Sequence, residues 1–159
     1  MKNGVKLFGH PIHQMLIVFP LGLLAMAVIF DLLTVFTKNL HWTDMAFYMI
    51  GSGIVMGLIA AVFGFLDYLA IPAGTRAKSI GLLHGVGNVV VLALFAFSWY
   101  LRSPAPSYPD WSAYLCSYLG ASLALVTGWL GGELVDRLGI GVDEGANPNA
   151  PSSLTSGRA

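Results

Sequence analysis

Residues 11–36 read PIHQMLIVFPLGLLAMAVIFDLLTVF, and this run decides the fold. It carries no charge from Pro11 to Phe30 and a single charge, Asp31, before it ends at Phe36. At a rise of about 1.5 Å per residue, about 20 apolar residues form a helix that crosses the hydrocarbon core of a bilayer. The run is therefore predicted to be a transmembrane helix over about residues 11–36.

Three more runs of the same kind are predicted to be helices over about residues 45–70, 79–101 and 111–136. The whole chain is 56% apolar and only 10% charged, with a mean hydropathy of +0.73. A soluble domain normally carries about 25% charged residues, and a chain of this size cannot bury so much apolar surface in water. The predicted fold is all-α, an integral membrane four-helix bundle over residues 1–142.

The connections between these helices are short, which makes neighbouring helices antiparallel and gives an up-down-up-down bundle. The end that holds both termini carries more basic residues near the membrane (Lys2, Lys6, Arg76, Lys78 and Arg137) than the other end, which has Lys38 and Arg102. Because basic residues stay in the cytoplasm, both termini are predicted to be cytoplasmic, in the inner (plasma) membrane of the cell. The tail, residues 143–159, is rich in Gly, Pro, Asn and Ser and is expected to be disordered.

Five ionisable residues are predicted to share one layer at the cytoplasmic end of the bundle. His10 and His13 lie at the start of the first helix, and His84 lies near the start of the third. Asp67 and Glu133 lie near the ends of the second and fourth helices. The antiparallel arrangement brings all these positions to one face of the membrane. Charged groups in hydrocarbon cost from about 2.5 kcal/mol upward, so they face the bundle interior or water.

Asp31 lies apart from that layer, five helical turns beyond His13 and near the outer end of the first helix. It is expected to form a buried ion pair or a hydrogen bond with Lys38 or His41. The alternative is that it marks the far end of a proton or electron path. Pro20, between the two, is predicted to kink the helix.

The five-residue layer has several interpretations. All five residues could bind a transition metal, since four-helix bundles hold di-iron sites with histidine and carboxylate ligands from facing helices. The Glu-x-x-His spacing of those sites is absent from this chain. Alternatively, His13 or His10 pairs with His84 across the bundle as axial ligands of haem b, which needs only two such side chains and an apolar slot.

A plainer alternative is that the polar groups only tie helix ends together. Asp67 and Glu133 would then accept hydrogen bonds from the histidines and from Arg76 or Arg137. Proton-linked transport is a further alternative, because intramembrane ionisable groups mark such pathways. Asn88, one turn after His84 and on the same face, is the other polar residue singled out inside the membrane.

Small residues at helical spacing indicate where the helices approach one another closely. They are expected to pack the bundle on itself, with a homodimer contact as the alternative for whichever stripe is left over. The stripes are Gly53, Gly57, Ala60 and Gly64 on the second helix, Gly81 and Gly85 on the third, and Gly120, Ala124, Gly128 and Gly132 on the fourth.

Several short motifs lie in and beside the predicted helices. They are Gly9-His10-Pro11-Ile12-His13, Phe19-Pro20-Leu21-Gly22, Asp31, Gly64-Phe65-Leu66-Asp67-Tyr68, His84, Gly131-Gly132-Glu133-Leu134-Val135 and Gly139-Ile140-Gly141-Val142. In these motifs the chain resembles a family of four-helix bacterial membrane proteins, domain of unknown function 2231. The resemblance covers about residues 7–142, although the family often has proline where this chain has Gln14. It implies a membrane protein, and some members are joined to Rieske-type iron–sulfur domains, which implies electron transfer with a redox partner protein. No catalytic residue can be carried over from it.

The sequence thus predicts a haem-binding, electron-transferring membrane module with His10, His13 and His84 as ligand candidates. The alternative is a non-redox membrane protein: a metal site, a small transporter or a structural subunit. An enzyme is disfavoured because the chain has no Ser-His-Asp set, phosphate-binding loop or dinucleotide motif. A net charge of zero argues against a nucleic-acid partner.

Overall fold

The computed structural model describes residues 4–155 and confirms the all-helical membrane fold. Within these residues, four helical spans are long and apolar enough to cross a membrane: Ile12–Thr37, His41–Ala70, Arg76–Arg102 and Trp111–Arg137. The first span consists of α1 (Ile12–Leu16) and α2 (Val18–Thr37), and the next two are α3 (His41–Ala70) and α4 (Arg76–Arg102). The last consists of α5 (Trp111–Gly132) and a π-helical turn (Glu133–Arg137).

Capping side chains set the starts of α4 and α5. The side chain of Thr75 accepts a hydrogen bond from the backbone N–H of Lys78, 3.1 Å away, and this cap starts α4 earlier than predicted. The carboxylate of Asp110 accepts one from the N–H of Ser112 at 2.9 Å and starts α5 at the predicted residue. The α3 helix also begins before the predicted residue 45, at His41.

The break between α1 and α2 falls at Ile17 and has its cause in Pro20. Proline has no N–H, and its ring clashes with the carbonyl four residues back, which belongs to Leu16. The last residue of α1 is Leu16, and α2 starts again at Val18. The interruption lies where Pro20 is predicted to kink the helix, and it separates the turn that carries His13 from the rest of the span.

The four spans close into a ring in which α2 and α4 each pack against both α3 and α5. Glycines allow the close approach: a Cβ on Gly53 would lie 2.6 Å from Leu24, and one on Gly57 would lie 2.6 Å from Leu92. Part of the predicted glycine stripes therefore packs the bundle on itself. The apolar core lies midway along the helices and consists of Leu24, Ala27, Ala46, Ile50, Val91 and Phe95.

We call the end of the bundle with the N-terminal segment, the 71–75 connection and the tail its inner end, and the opposite end its outer end. At the inner end, β1 (Lys6–Leu7) pairs antiparallel with β2 (His10–Pro11), which the sequence analysis did not predict. The two-residue turn between them, Phe8-Gly9, has φ angles of 50° and 86°. Positive φ at both central residues is the type I′ geometry that suits a hairpin, and glycine adopts it without strain.

The chain after the π-helical turn returns to this hairpin. The amide of Gln14 donates to the carbonyl of Ile140 at 3.5 Å, and the hydroxyl of Ser153 donates to the carbonyl of Phe8 at 2.8 Å. A hydrogen bond from the Lys6 ammonium holds the pKa of Asp143 below its usual value. Disorder of the tail stays a prediction, and its last four residues, like Lys2, lie outside the described residues.

Candidate functional site

His13 and His84 meet inside the bundle, as the sequence predicts. His13 comes from α1 and His84 from α4, and their ring centres lie 6.5 Å apart with the ring planes nearly perpendicular, at 87°. Both residues are half-buried. Hereafter these two residues are the histidine pair.

Each ring of the histidine pair is fixed by a backbone carbonyl of another helix. His13 Nδ1 lies 2.9 Å from the carbonyl oxygen of Ala60 on α3, and His84 Nδ1 lies 2.9 Å from that of Thr127 on α5. A carbonyl oxygen only accepts, so each Nδ1 carries the hydrogen and donates it, and the lone pair of the neutral ring is on Nε2. All four spans thus contribute to one site.

Asn88 and Thr127 extend this site along the seam between α4 and α5. The Asn88 amide donates to the carbonyl of His84 at 2.8 Å, and it also lies 3.3 Å from His84 Nε2. The hydroxyl of Thr127 donates to Asn88 Oδ1 at 3.1 Å. The sequence analysis singled out Asn88 but missed Thr127, because it is one of several hydroxyl side chains in the fourth apolar run.

Glycines provide the space that the two rings occupy. A Cβ on Gly64 would lie 2.7 Å from His13 Cε1, closer than real Cβ atoms approach another atom. A Cβ on Gly131 would lie 3.1 Å from His84 Cε1. Gly64 on α3 is therefore needed for the observed position of the His13 ring, whereas a Cβ at position 131 on α5 would require the His84 ring to shift by a few tenths of an ångström.

The other three members of the predicted layer lie outside the histidine pair. Asp67 comes three residues after Gly64, about 4.5 Å farther along the helix axis, and its carboxylate accepts from the N–H of Val5 at 2.9 Å. Glu133 accepts from the guanidinium of Arg76 at 2.5 Å. His10 is exposed in β2, with its Nε2 at 3.4 Å from the hydroxyl of Ser153.

The predicted metal site of five ligands, His10, His13, Asp67, His84 and Glu133, is not assembled. Within residues 4–155, no group of three or more His, Cys, Asp or Glu side chains is arranged to hold a metal ion. The physical reason is that both carboxylates turn toward other donors, the backbone of the N-terminal segment and an arginine of α4. The five residues therefore share one end of the bundle, but their side chains do not meet in one site.

Near the outer end, Asp31 forms a two-fold hydrogen-bonded ion pair with Arg102, at 2.8 and 2.7 Å. Both side chains are 0% exposed. Two hydroxyls complete the guanidinium's partners, those of Ser98 and Ser117, each at 3.2 Å. The expected buried ion pair is confirmed, but the predicted partners, Lys38 and His41, are wrong. The sequence analysis counted Arg102 among the basic residues near the membrane surface at the outer end, but its side chain points into the bundle.

The comparisons with known proteins agree with the membrane fold. The family model of a predicted membrane protein, DUF2231, matches residues 9–144. No curated protein and no solved structure matches the chain. The match covers most of the chain, so the protein belongs to the DUF2231 family, as its motifs indicate.

Proposed function

We propose that this DUF2231 protein is a multi-pass inner-membrane protein that binds haem b through His13 and His84 and transfers electrons. The observation that carries the proposal is the histidine pair. Each Nδ1–H is donated to a backbone carbonyl, so each Nε2 carries the lone pair of its ring, and the Asn88 amide lies 3.3 Å from that of His84. Both termini would lie in the cytoplasm, on the side of the basic residues.

The donor set fits a metal-centred cofactor. A histidine that binds a metal through one nitrogen almost always donates its other N–H to a carbonyl or a carboxylate, which fixes the ring and raises its basicity. Both histidines have this arrangement. Two imidazole ligands from facing helices are sufficient for a b-type haem, which takes its remaining contacts from apolar surroundings.

The ring spacing also fits a shared metal ion. A metal about 2.0 Å from one nitrogen of each ring, with each ring centre about 1.1 Å farther back, places the ring centres roughly 6 Å apart. The observed separation is 6.5 Å. This spacing would suit one ion held between the two rings, and it also lies within the range of about 4.5–7 Å for edge-to-face ring contacts.

In this proposal the chain would bind and orient the haem, which would supply the one-electron chemistry when bound. The carbonyls of Ala60 and Thr127 hold the rings in one tautomer. Asn88 fixes the backbone of His84 against α5. The electrons would pass to or from a partner protein, in line with the Rieske-type domains joined to some similar proteins.

An absorption spectrum tests the proposal. The protein is purified in detergent, haem is added, and free haem is removed. We expect a Soret band that remains with the protein, persists in His10→Ala and is lost in His13→Ala and His84→Ala. His10 is the matched control, because it is exposed and lies apart from the pair. Wild-type protein that retains no haem would overturn the proposal.

A second candidate function is structural, and a different observation favours it. The four acidic groups that are buried or half-buried in the described residues each have a partner. The pairs are Asp31 with Arg102, Asp44 with Ser107, Asp67 with the N–H of Val5, and Glu133 with Arg76. If the histidine pair likewise only ties helices together, the alanine variants lose stability and nothing else. Metal analysis of the purified protein, beside a His10→Ala/His13→Ala variant, separates this candidate from a transition-metal site.

A further inference from the structure

The inner end of α5 carries a recess that has no part in the histidine pair. It has a volume of about 310 Å³, and it is lined by Trp129, Gly132, Glu133, Asp136 and Arg137. Three of these residues belong to the π-helical turn Glu133–Arg137. Such turns are rare in proteins and occur frequently at functional sites.

The recess presents charges of both signs. Glu133 is occupied by its ion pair with Arg76. Asp136 and Arg137 are exposed, and neither forms an ion pair within the described part of the chain. One free anion and one free cation therefore lie side by side at the membrane boundary.

An aromatic ring and an open furrow adjoin these charges. Trp129 is 66% exposed, and tryptophan at the end of a span favours the level of the lipid head groups. Gly128 and Gly132 are one turn apart on α5, and a Cβ on either would meet no atom within 4 Å. The furrow they leave runs from the recess toward the exposed side chain of Leu125.

We propose that this recess binds a phospholipid with a primary ammonium in its head group, of the phosphatidylethanolamine type. Arg137 donates to the phosphate, and Asp136 accepts from the ammonium. The face of Trp129 attracts the same cation, and an acyl chain lies along the glycine furrow. Charge complementarity selects this occupant: the free pair of the recess matches a zwitterion, and charged residues are depleted from the cores of protein interfaces.

Native mass spectrometry in detergent tests this with dioleoyl phosphatidylethanolamine, phosphatidylcholine and phosphatidylglycerol as probes. We expect the first lipid to bind about fivefold more tightly than the other two, as for one extra charge-assisted hydrogen bond at an exposed site. The trimethylammonium of phosphatidylcholine has no hydrogen to donate. Phosphatidylglycerol has no cation for Asp136.

Variants separate the two charges. Asp136→Asn should abolish the preference for the ammonium lipid. It should weaken phosphatidylcholine binding only slightly, because a trimethylammonium meets that exposed carboxylate by charge alone. Arg137→Gln should weaken all three lipids, because all three carry the phosphate. Gly132→Leu fills the recess and should reduce phosphatidylethanolamine binding, whereas Gly22→Leu is the control, because that glycine also has nothing within 4 Å.

Two results overturn the proposal. One is equal binding of the three lipids by the wild-type protein. The other is a lipid-free dimer whose abundance falls in Gly132→Leu but not in Gly22→Leu, which would assign the furrow to a second copy of the chain. Neither result depends on haem, so the lipid proposal and the proposed function can fail separately.

Discussion

Two polar clusters lie inside the bundle and differ in almost every physical respect. The ion pair of Asp31 and Arg102 is charged, fully buried and surrounded by hydroxyls that complete its hydrogen bonds. The histidine pair is half-buried, and each ring is anchored through Nδ1. In the outer cluster the two charged groups are bonded to each other and to two hydroxyls, an arrangement that holds the helices together. Imidazole rings that donate through Nδ1 have Nε2 as a metal ligand atom, so the histidine pair has the chemistry to bind a ligand as well.

The apolar core lies between the two clusters, so each can be changed without touching the other. Core residues such as Ile50 and Phe95 separate the outer hydroxyls from the inner seam of Asn88 and Thr127. Variants at sites so far apart, with no shared partner, normally add in their effects on stability. Variants of one cluster therefore test that cluster without changing the other.

Breaking the outer ion pair should have the largest effect. Arg102→Met leaves the Asp31 carboxylate buried without its partner, which costs about 3–5 kcal/mol in the free energy of unfolding. Thermal unfolding in detergent, followed by circular dichroism, measures the loss.

The double variant Arg102→Met/Asp31→Leu is the control for this prediction. A buried ion pair can often be replaced by apolar side chains at little loss, so the double variant should recover most of the stability. A double variant as unstable as Arg102→Met alone would contradict this expectation. It would mean that the ion pair, with its hydrogen bonds to Ser98 and Ser117, contributes stability that apolar side chains cannot replace.

Crowding the histidine pair should have the next largest effect, and it should change mainly the affinity for haem. Gly64→Ala places a Cβ at 2.7 Å from His13 Cε1 and forces that ring to move. Displacing a ligand in this way lowers affinity by about tenfold or more, while overpacking costs about 1–3 kcal/mol in stability. Haem titration and thermal unfolding measure the two effects. Gly22→Ala, with open space around it, should change neither, and unchanged haem affinity in Gly64→Ala would speak against His13 as a ligand.

The smallest expected effect lies beside the outer ion pair. The hydroxyl of Tyr118 is buried and has no hydrogen-bond partner within residues 4–155. Removing an unsatisfied buried hydroxyl should leave stability unchanged or raise it by up to about 1 kcal/mol. Tyr118→Phe, followed by thermal unfolding, checks this. A clear loss of stability would mean that the hydroxyl has a partner, such as a bound water.

The sequence predicted the four spans because their length and apolarity are properties of the chain itself. It also predicted which polar groups share an end of the bundle, since helix direction alternates through short connections. Both partners that it predicted for Asp31 were wrong. The sequence shows how far along a helix a residue lies, but it does not show which neighbouring helix the side chain faces. Lys38 and His41 are near Asp31 in sequence, whereas Arg102 reaches it across 71 residues.

The inner end shows a second limit of sequence reasoning. Strands of two residues carry no periodicity, and the turn at Phe8-Gly9 lacks the Asn-Gly or Asp-Gly pair that usually indicates a hairpin. That hairpin displaces His10 from the helix and brings the N–H of Val5 to Asp67. The predicted layer of five then separates, because a backbone donor and an arginine take the two carboxylates away from the histidines.

The spin state of the haem-loaded protein tests the central claim most directly. Electron paramagnetic resonance of the ferric protein distinguishes two imidazole ligands, which give a low-spin signal, from one, which gives a high-spin signal. We expect a low-spin signal in the wild-type protein and in Arg102→Met/Asp31→Leu, and a high-spin signal or haem loss in His13→Ala and in His84→Ala. A low-spin signal that survives in both single histidine variants would contradict the assignment of His13 and His84 as the ligands.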